Sequence, residues 1–191
     1  MFEILAAYLK EKAGLTDQEL NLFQEVCIEK KLRKRQYLLQ EGDISHYNSF
    51  ITKGCLRMYR MGKDGTEHIL RFAVENWWIS DYESYNSGSP SKNCIDALED
   101  SEILMIKKED FDHLISIIPN FRILRDLLNA RSFDASQNRI LSNISDTAED
   151  KYHLFTQSYP DIASRLPLHM IASFLGVSRE TLSRIRHKYV K

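Results

Sequence analysis

Long apolar runs are missing from this 191-residue chain: none approaches the roughly 20 residues that cross a bilayer. Cysteine is scarce and dispersed. Cys27, Cys55 and Cys94 form no CxxC or CxxxC pair, and His46, His68, His113, His153, His169 and His187 form no HxxxH pair. Clustered thiolate or imidazole ligands are what zinc and iron–sulfur sites need, so no metal is expected and the cysteines read as small buried apolar side chains. GxSxG, HExxH, Walker-type and GxGxxG stretches are also absent, which argues against an enzyme. Ser87-Gly88-Ser89 reads as a turn, and Glu99-Asp100 and Glu109-Asp110 as solvated turn or helix-start residues. Met1 to Gly14 carries Glu3, Lys10 and Glu11 around a short apolar stretch, with no cleavage signal. It reads as a helix, and the chain as cytoplasmic with no membrane partner.

What is present is an ordinary globular composition, 43% hydrophobic and 28% charged, long enough for one large or two small domains. The net charge of −1 hides an asymmetry. Residues 75–112 hold ten acids against three lysines, a net of −7, whereas residues 161–191 have a net of +4. An acidic middle and a basic tail predict two modules, with the tail facing a polyanion.

Read in order, the pattern is helical from Phe2 to Lys30, broken at Gly14 and restarted by Thr16 with Glu19 three residues on, a capping box. From Leu32 to Ile106 short β-prone runs alternate with turn residues. Gly42, Gly54 and Gly65 recur 12 and 11 residues apart, and Asp64-Gly65 marks a hairpin. This predicts an α+β fold built on an antiparallel β-roll of the double-stranded β-helix or jelly-roll type. Helical spacing returns from Asp110 to Ile118, ended by Pro119. Asn120 to Ser145 then runs 26 residues without Gly or Pro, which would be about 39 Å of helix. Phe121, Leu124 and Leu128, with Ile140, Leu141 and Ile144, form its apolar stripe, to be covered by the roll, by a second copy of the chain, or both. Dimerisation is the favoured expectation. Asp146-Thr147-Ala148-Glu149 reads as a second capping box, and Leu166-Pro167 as a further helix start.

The last segment carries the chemistry. Ile171, Ala172, Phe174 and Leu175 predict a short apolar helix, Gly176-Val177 a turn, and Ser178 the cap of a basic helix from Arg179 to Tyr189. That is the outline of a helix-turn-helix. Leu182 and Ile185 would face the first helix, leaving Arg179, Glu180, Ser183, Arg184 and Arg186 outside. Arginine can pair with both acceptors of guanine and glutamate can accept from cytosine, so Arg179, Glu180 and Arg184 are the candidate base readers. Ser178, Thr181, Ser183, Arg186, His187, Lys188 and Lys191 are placed for phosphates. The bland reading of the same helix is a solvated face with a Glu180–Arg184 ion pair.

Gly176-Val177-Ser178-Arg179-Glu180-Thr181-Leu182-Ser183-Arg184 resembles the recognition motif of the CRP/FNR family of bacterial transcription regulators. The family's order of parts is a cyclic-nucleotide-binding β-roll, a long dimerisation helix and a C-terminal helix-turn-helix. By that resemblance residues 1–119 would be the sensor, 120–145 the dimerisation helix, and 146–191 the DNA-binding domain. The partners implied are double-stranded DNA and a second copy of the chain. RNA polymerase would be a third for an activator, although no residue announces a surface for it.

Two departures follow from the same resemblance. The family's nucleotide site uses a Gly-Glu pair and an Arg-Ser pair, whereas this chain has Ser80-Asp81 and, later, Ser91-Lys92-Asn93. Lysine meets phosphate as a point charge without the planar fork, and the surrounding charge is negative. Cyclic AMP is therefore not the expected effector. No cofactor is assigned, and another small molecule, or none, is expected instead. Ser80, Asp81, Ser91 and Lys92 would line any remaining pocket, with Ser136 of the long helix a further candidate. Lys191 follows the recognition helix closely, so a terminal β-wing is not expected. The competing reading is a ligand-binding β-roll whose shortened helix-turn-helix does not bind DNA.

Overall fold

The computed structural model describes residues 1–160 and 162–189. Helix α1 (Phe2–Ala13) and helix α2 (Asp17–Val26) open it. The Thr16 hydroxyl accepts from the Glu19 N–H at 3.3 Å while the Glu19 carboxylate accepts from the Thr16 N–H at 2.8 Å, the expected reciprocal cap. Strand β1 (Ile28–Leu32) then begins where the helical pattern was expected to continue to Lys30. Its partner lies far along the chain: Ile28 to Leu32 pair antiparallel with Met105 to Ser101, and a remote ladder overrides a local helical tendency.

Seven more strands complete two antiparallel sheets: β2 (Tyr37–Leu39), β3 (Tyr47–Lys53), β4 (Leu56–Met61), β5 (Glu67–Ala73), β6 (Trp78–Ile79), β7 (Cys94–Ala97) and β8 (Ser101–Lys107). One sheet runs β1-β8-β3-β6 and the other β2-β7-β4-β5. Strands β4 and β5 form the hairpin predicted around Asp64-Gly65. Ile51, Leu56, Ile95, Ala97 and Ile103 fill the space between the sheets, which makes this the antiparallel β-roll of an α+β fold. A short helix, α3 (Tyr82–Ser87), bridges β6 and β7.

Helix α4 (Lys108–Ile117) leads into α5 (Pro119–Ser145), which starts one residue before the expected Asn120 because Pro119 occupies its first turn. Phe121 and Leu124 join the core that packs α1, α2 and α4 against the outer face of β3 and β8, where Phe121 meets Phe23 of α2 edge-on at 4.7 Å. That part of the apolar stripe is consumed internally. A second stripe stays open: Ile123 is 63% exposed, Leu141 62% and Ile144 80%.

Helix α6 (Ala148–Ser158) is capped by Thr147 with Asp150, one position later than the expected box from Asp146 to Glu149. Asp146 is engaged as the C-cap of α5, its N–H donating to the Ser142 carbonyl at 3.0 Å, so Thr147 is the first residue free to cap the next helix. Helices α7 (Leu168–Leu175) and α8 (Arg179–Tyr189) close the described chain.

The C-terminal helices rest on the outer face of the β4–β5 hairpin. Phe72 of β5 contacts Phe174 at 5.3 Å and Phe155 at 6.4 Å. The Ile69 N–H donates to the Ser173 hydroxyl at 3.1 Å, which itself donates to the Glu67 carbonyl at 2.9 Å. Arg165 forks onto Glu75 at 3.0 and 3.1 Å and also pairs with Glu99. Glu99 is thus an ion-pair partner rather than the solvated turn residue expected, and Asp100 accepts from the Lys34 N–H at 2.8 Å.

Candidate functional site

Helices α7 and α8 meet at Gly176, whose φ of +65° lies in the left-handed region that glycine enters without a steric penalty. A side chain there would meet nothing nearer than Asn143 Oδ1 at 3.7 Å, so backbone conformation rather than crowding requires the glycine. Ala172 is buried where the two helices approach, and Leu182 and Ile185 are 0% and 4% exposed on the inner side of α8. The Ser178 hydroxyl accepts from the Thr181 N–H at 3.1 Å, the expected cap.

This packing turns Arg179, Glu180, Arg184, His187 and Lys188 to the exposed side, with Thr181, Ser183 and Arg186 half-buried at its margins. Arg184 donates to the Thr181 hydroxyl at 3.4 Å instead of pairing with Glu180. Lys188 pairs with Glu149 of α6 at 2.5 Å, so a phosphate would have to compete for it. Lys191 lies outside the described residues.

The five candidate ligand residues do not converge. Ser80 lines a cavity of about 430 Å³ inside the roll, together with Lys30, Asp43, His46 and Ser49. Asp81 is 3% exposed and fully engaged. One carboxylate oxygen accepts from the Glu83 and Ser84 N–H groups at the start of α3. The other accepts from the Ser91 hydroxyl and, at 3.0 Å, from the Asn93 side chain. Lys92 is exposed and pairs with Glu83 at 3.0 Å. Ser136 lines a different cavity altogether. Asp81 and Ser91 therefore staple the segment before α3 to the segment before β7. Asp81→Ala strips the acceptor from four donors and should lower unfolding free energy by about 1–3 kcal/mol, read as a reduced urea midpoint at constant slope.

Sequence reasoning missed the residues that join the C-terminal helices to the roll: Glu75, Arg139, Arg165 and Ser173. Arg165 counted only toward the basic tail. Its partners lie 90 and 66 positions away, and no local pattern announces such pairs. Burial works to raise the Glu75 carboxyl, but Arg165 and backbone N–H groups, including that of Gly54, hold it below the usual carboxylate range. This clamp is complete above the ordinary carboxylate pKa and is lost as pH falls through the depressed one. The cysteines are free thiols, and burial pushes those of Cys27 and Cys55 up to about 12. Among the described residues no group of three His, Cys, Asp or Glu could hold a metal, and no helix is long and apolar enough to cross a membrane.

A β-roll carrying a long helix and a helix-turn-helix is the architecture of the chain, and residues 29–117 match the cyclic nucleotide-binding domain family. Along the sequence, the Cyclic AMP receptor protein of Thermus thermophilus is 24% identical over 186 residues, covering 91% of this chain and 82% of the relative. Among solved structures, FixK2 from Bradyrhizobium japonicum shares the fold with a TM-score of 0.74 at 20% identity, covering 85% of this chain and 84% of the other. A transcriptional regulator of the CRP/FNR family from Eubacterium rectale does so at 0.71 and 17% identity, covering 96% and 88%. Over most of its length the chain is thus similar to CRP/FNR-type transcription regulators.

Proposed function

We propose that the protein works as a homodimer that reads a pseudo-palindromic DNA site through α8. The observation that carries this reading is the division of α8 into a buried side, Leu182 and Ile185, and an exposed side bearing Arg179, Glu180 and Arg184. In a helix-turn-helix dimer such surfaces enter successive major grooves about 34 Å apart. Arg179, Glu180 and Arg184 read base edges, while Ser178, Thr181, Ser183, Arg186 and Lys188 meet the backbone. The open stripe of α5 supports self-association: Ile123 and Leu127 lie on the same heptad seam as Leu141 and Ile144 two heptads on, with Ala130, Asp134 and Gln137 at the seam positions between them. The relatives act as regulators and lend no support to an enzymatic role, and cytoplasmic residence fits a DNA-binding protein.

The Asp81 carboxylate supports an effector other than cyclic AMP. It already occupies the donors at the start of α3, and a ligand phosphate brought there would face a buried negative charge. A small-molecule effector of another kind, or control by abundance alone, fits better. RNA polymerase would be a further partner if the protein activates.

In vitro selection of a random duplex library on the purified protein tests the main reading. Recovery of a pseudo-palindrome with half-site centres about 10 base pairs apart is expected. Recovery of salt-sensitive, sequence-independent binding alone would transfer support to a ligand-binding module that does not read DNA. On the selected site, Lys188→Ala should weaken cognate and scrambled duplexes alike and, carried twice in the dimer, reduce the salt slope by about 2. Salt titrations of both duplexes measure this directly.

A further inference from the structure

A cavity of about 540 Å³ lies outside the roll, where α1, β5, α5 and the C-terminal helices meet. Its aromatic walls are close-set: Trp77 and Tyr159 lie 5.7 Å apart, and Tyr159 and Phe174 6.1 Å apart. Its charged lining is of one sign. Lys12, Arg71, Arg131 and Arg139 face it, and no aspartate or glutamate does. Lys12 is already paired with Glu11 at 2.6 Å, and Arg139 donates to the Leu70 carbonyl at 2.5 Å while lying over the Phe174 ring at 4.9 Å. Arg71 lies over Trp77 at 5.9 Å. Among the described residues neither Arg71 nor Arg131 has a carboxylate partner. Burial pushes the guanidinium groups of Arg71 and Arg139 below the usual arginine range, with Tyr159 opposing.

Arg71 is a half-buried cation without counter-charge, which is costly to hold in an empty space, and Arg131 is exposed at the rim of the same cavity. We propose that this cavity binds a small organic anion with a flat ring, the ring lying against Trp77 and Tyr159 and the anionic group taken by Arg71 and Arg131. Two forks suit a carboxylate, phosphate or sulfonate, and rings of this kind stack favourably on aromatic walls. The roll cavity offers no such match, since Asp43 lines it. A ligand here touches the roll through Arg71, the long helix through Arg131 and Ser136, and the C-terminal helices through Phe174. An effector that biases the placement of α8 needs such contacts, and that consequence rests on the DNA-binding reading, whereas the site itself does not.

The test uses the full chain without DNA and the dye 8-anilinonaphthalene-1-sulfonate, an aromatic anion with a flat naphthalene ring. One saturable site per chain is expected, with energy transfer from tryptophan. Arg71→Gln combined with Arg131→Gln should weaken the sulfonate by about tenfold or more, while the uncharged N-phenyl-1-naphthylamine changes by less than about twofold. Ala135→Trp, which fills the cavity from an exposed position on α5, should abolish binding of both dyes. Equal losses of both dyes in the folded arginine variant would overturn the proposal, as would unchanged sulfonate binding in Ala135→Trp. Circular dichroism checks folding, and if the arginine variant does not fold, the tryptophan variant alone decides.

Discussion

Arg179→Ala is expected to lower affinity for the selected operator by about 1–3 kcal/mol per half-site, hence roughly 2–6 kcal/mol for a dimer carrying it twice. The side chain is exposed at the start of α8, beside the Gly176 turn. In helix-turn-helix proteins the N-terminal residues of the second helix reach base edges. Arg179→Lys sharpens the test, because lysine keeps the charge but loses the two-pronged geometry that matches guanine. It should bind scrambled duplex nearly as the parent does, yet lose most of the preference for the operator. Fluorescence anisotropy on both duplexes at one salt concentration separates the effects. Parallel losses on operator and scrambled sites in both variants would reassign Arg179 to the phosphate backbone.

The second large effect concerns α5. Leu127→Glu with Leu141→Glu should convert the dimer to monomer and carry operator binding away with it. Burying a leucine contributes roughly 1.5–3 kcal/mol, and the double variant removes four leucines from a symmetric interface while setting like charges against one another. Leu127 is 45% exposed in the single chain and Leu141 62%, so neither substitution disturbs the core of the protomer. Leu154→Glu serves as the control. This leucine is 47% exposed on α6, away from the α5 seam, and the variant should remain dimeric. Sedimentation velocity over a concentration series measures the outcome, and a double variant that still sediments as a dimer would place the interface elsewhere.

Much of the architecture was legible because it is written locally. The Thr16–Glu19 box, the Asp64-Gly65 hairpin, the uninterrupted helix ending at Ser145 and the Gly176 turn each lie within a few residues of the signal that announces them. The two sides of α8 were legible for the same reason, since helical periodicity alone puts Leu182 and Ile185 opposite Arg179 and Arg184. Where two local signals competed, the reading slipped. Asp146 and Thr147 can both cap a helix, and only the end of α5 decides which is free to do so.

The sequence by itself thus determined the order of parts, the roll, the long helix and the exposed charged side of α8, because short-range periodicity and turn chemistry encode them. Tertiary structure alone decided which stripe of α5 stays open, since Phe121 and Leu124 are spent on the core shared with α1, α2, α4 and the outer face of β3 and β8. It also decided that Asp81 and Ser91 bind each other instead of lining a pocket, and that Arg165 and Ser173 hold the C-terminal helices against β5 and its neighbours. These contacts join residues whose separation along the chain carries no periodic signature. Their energy comes from burial and hydrogen-bond satisfaction, which exist only once distant segments have been brought together.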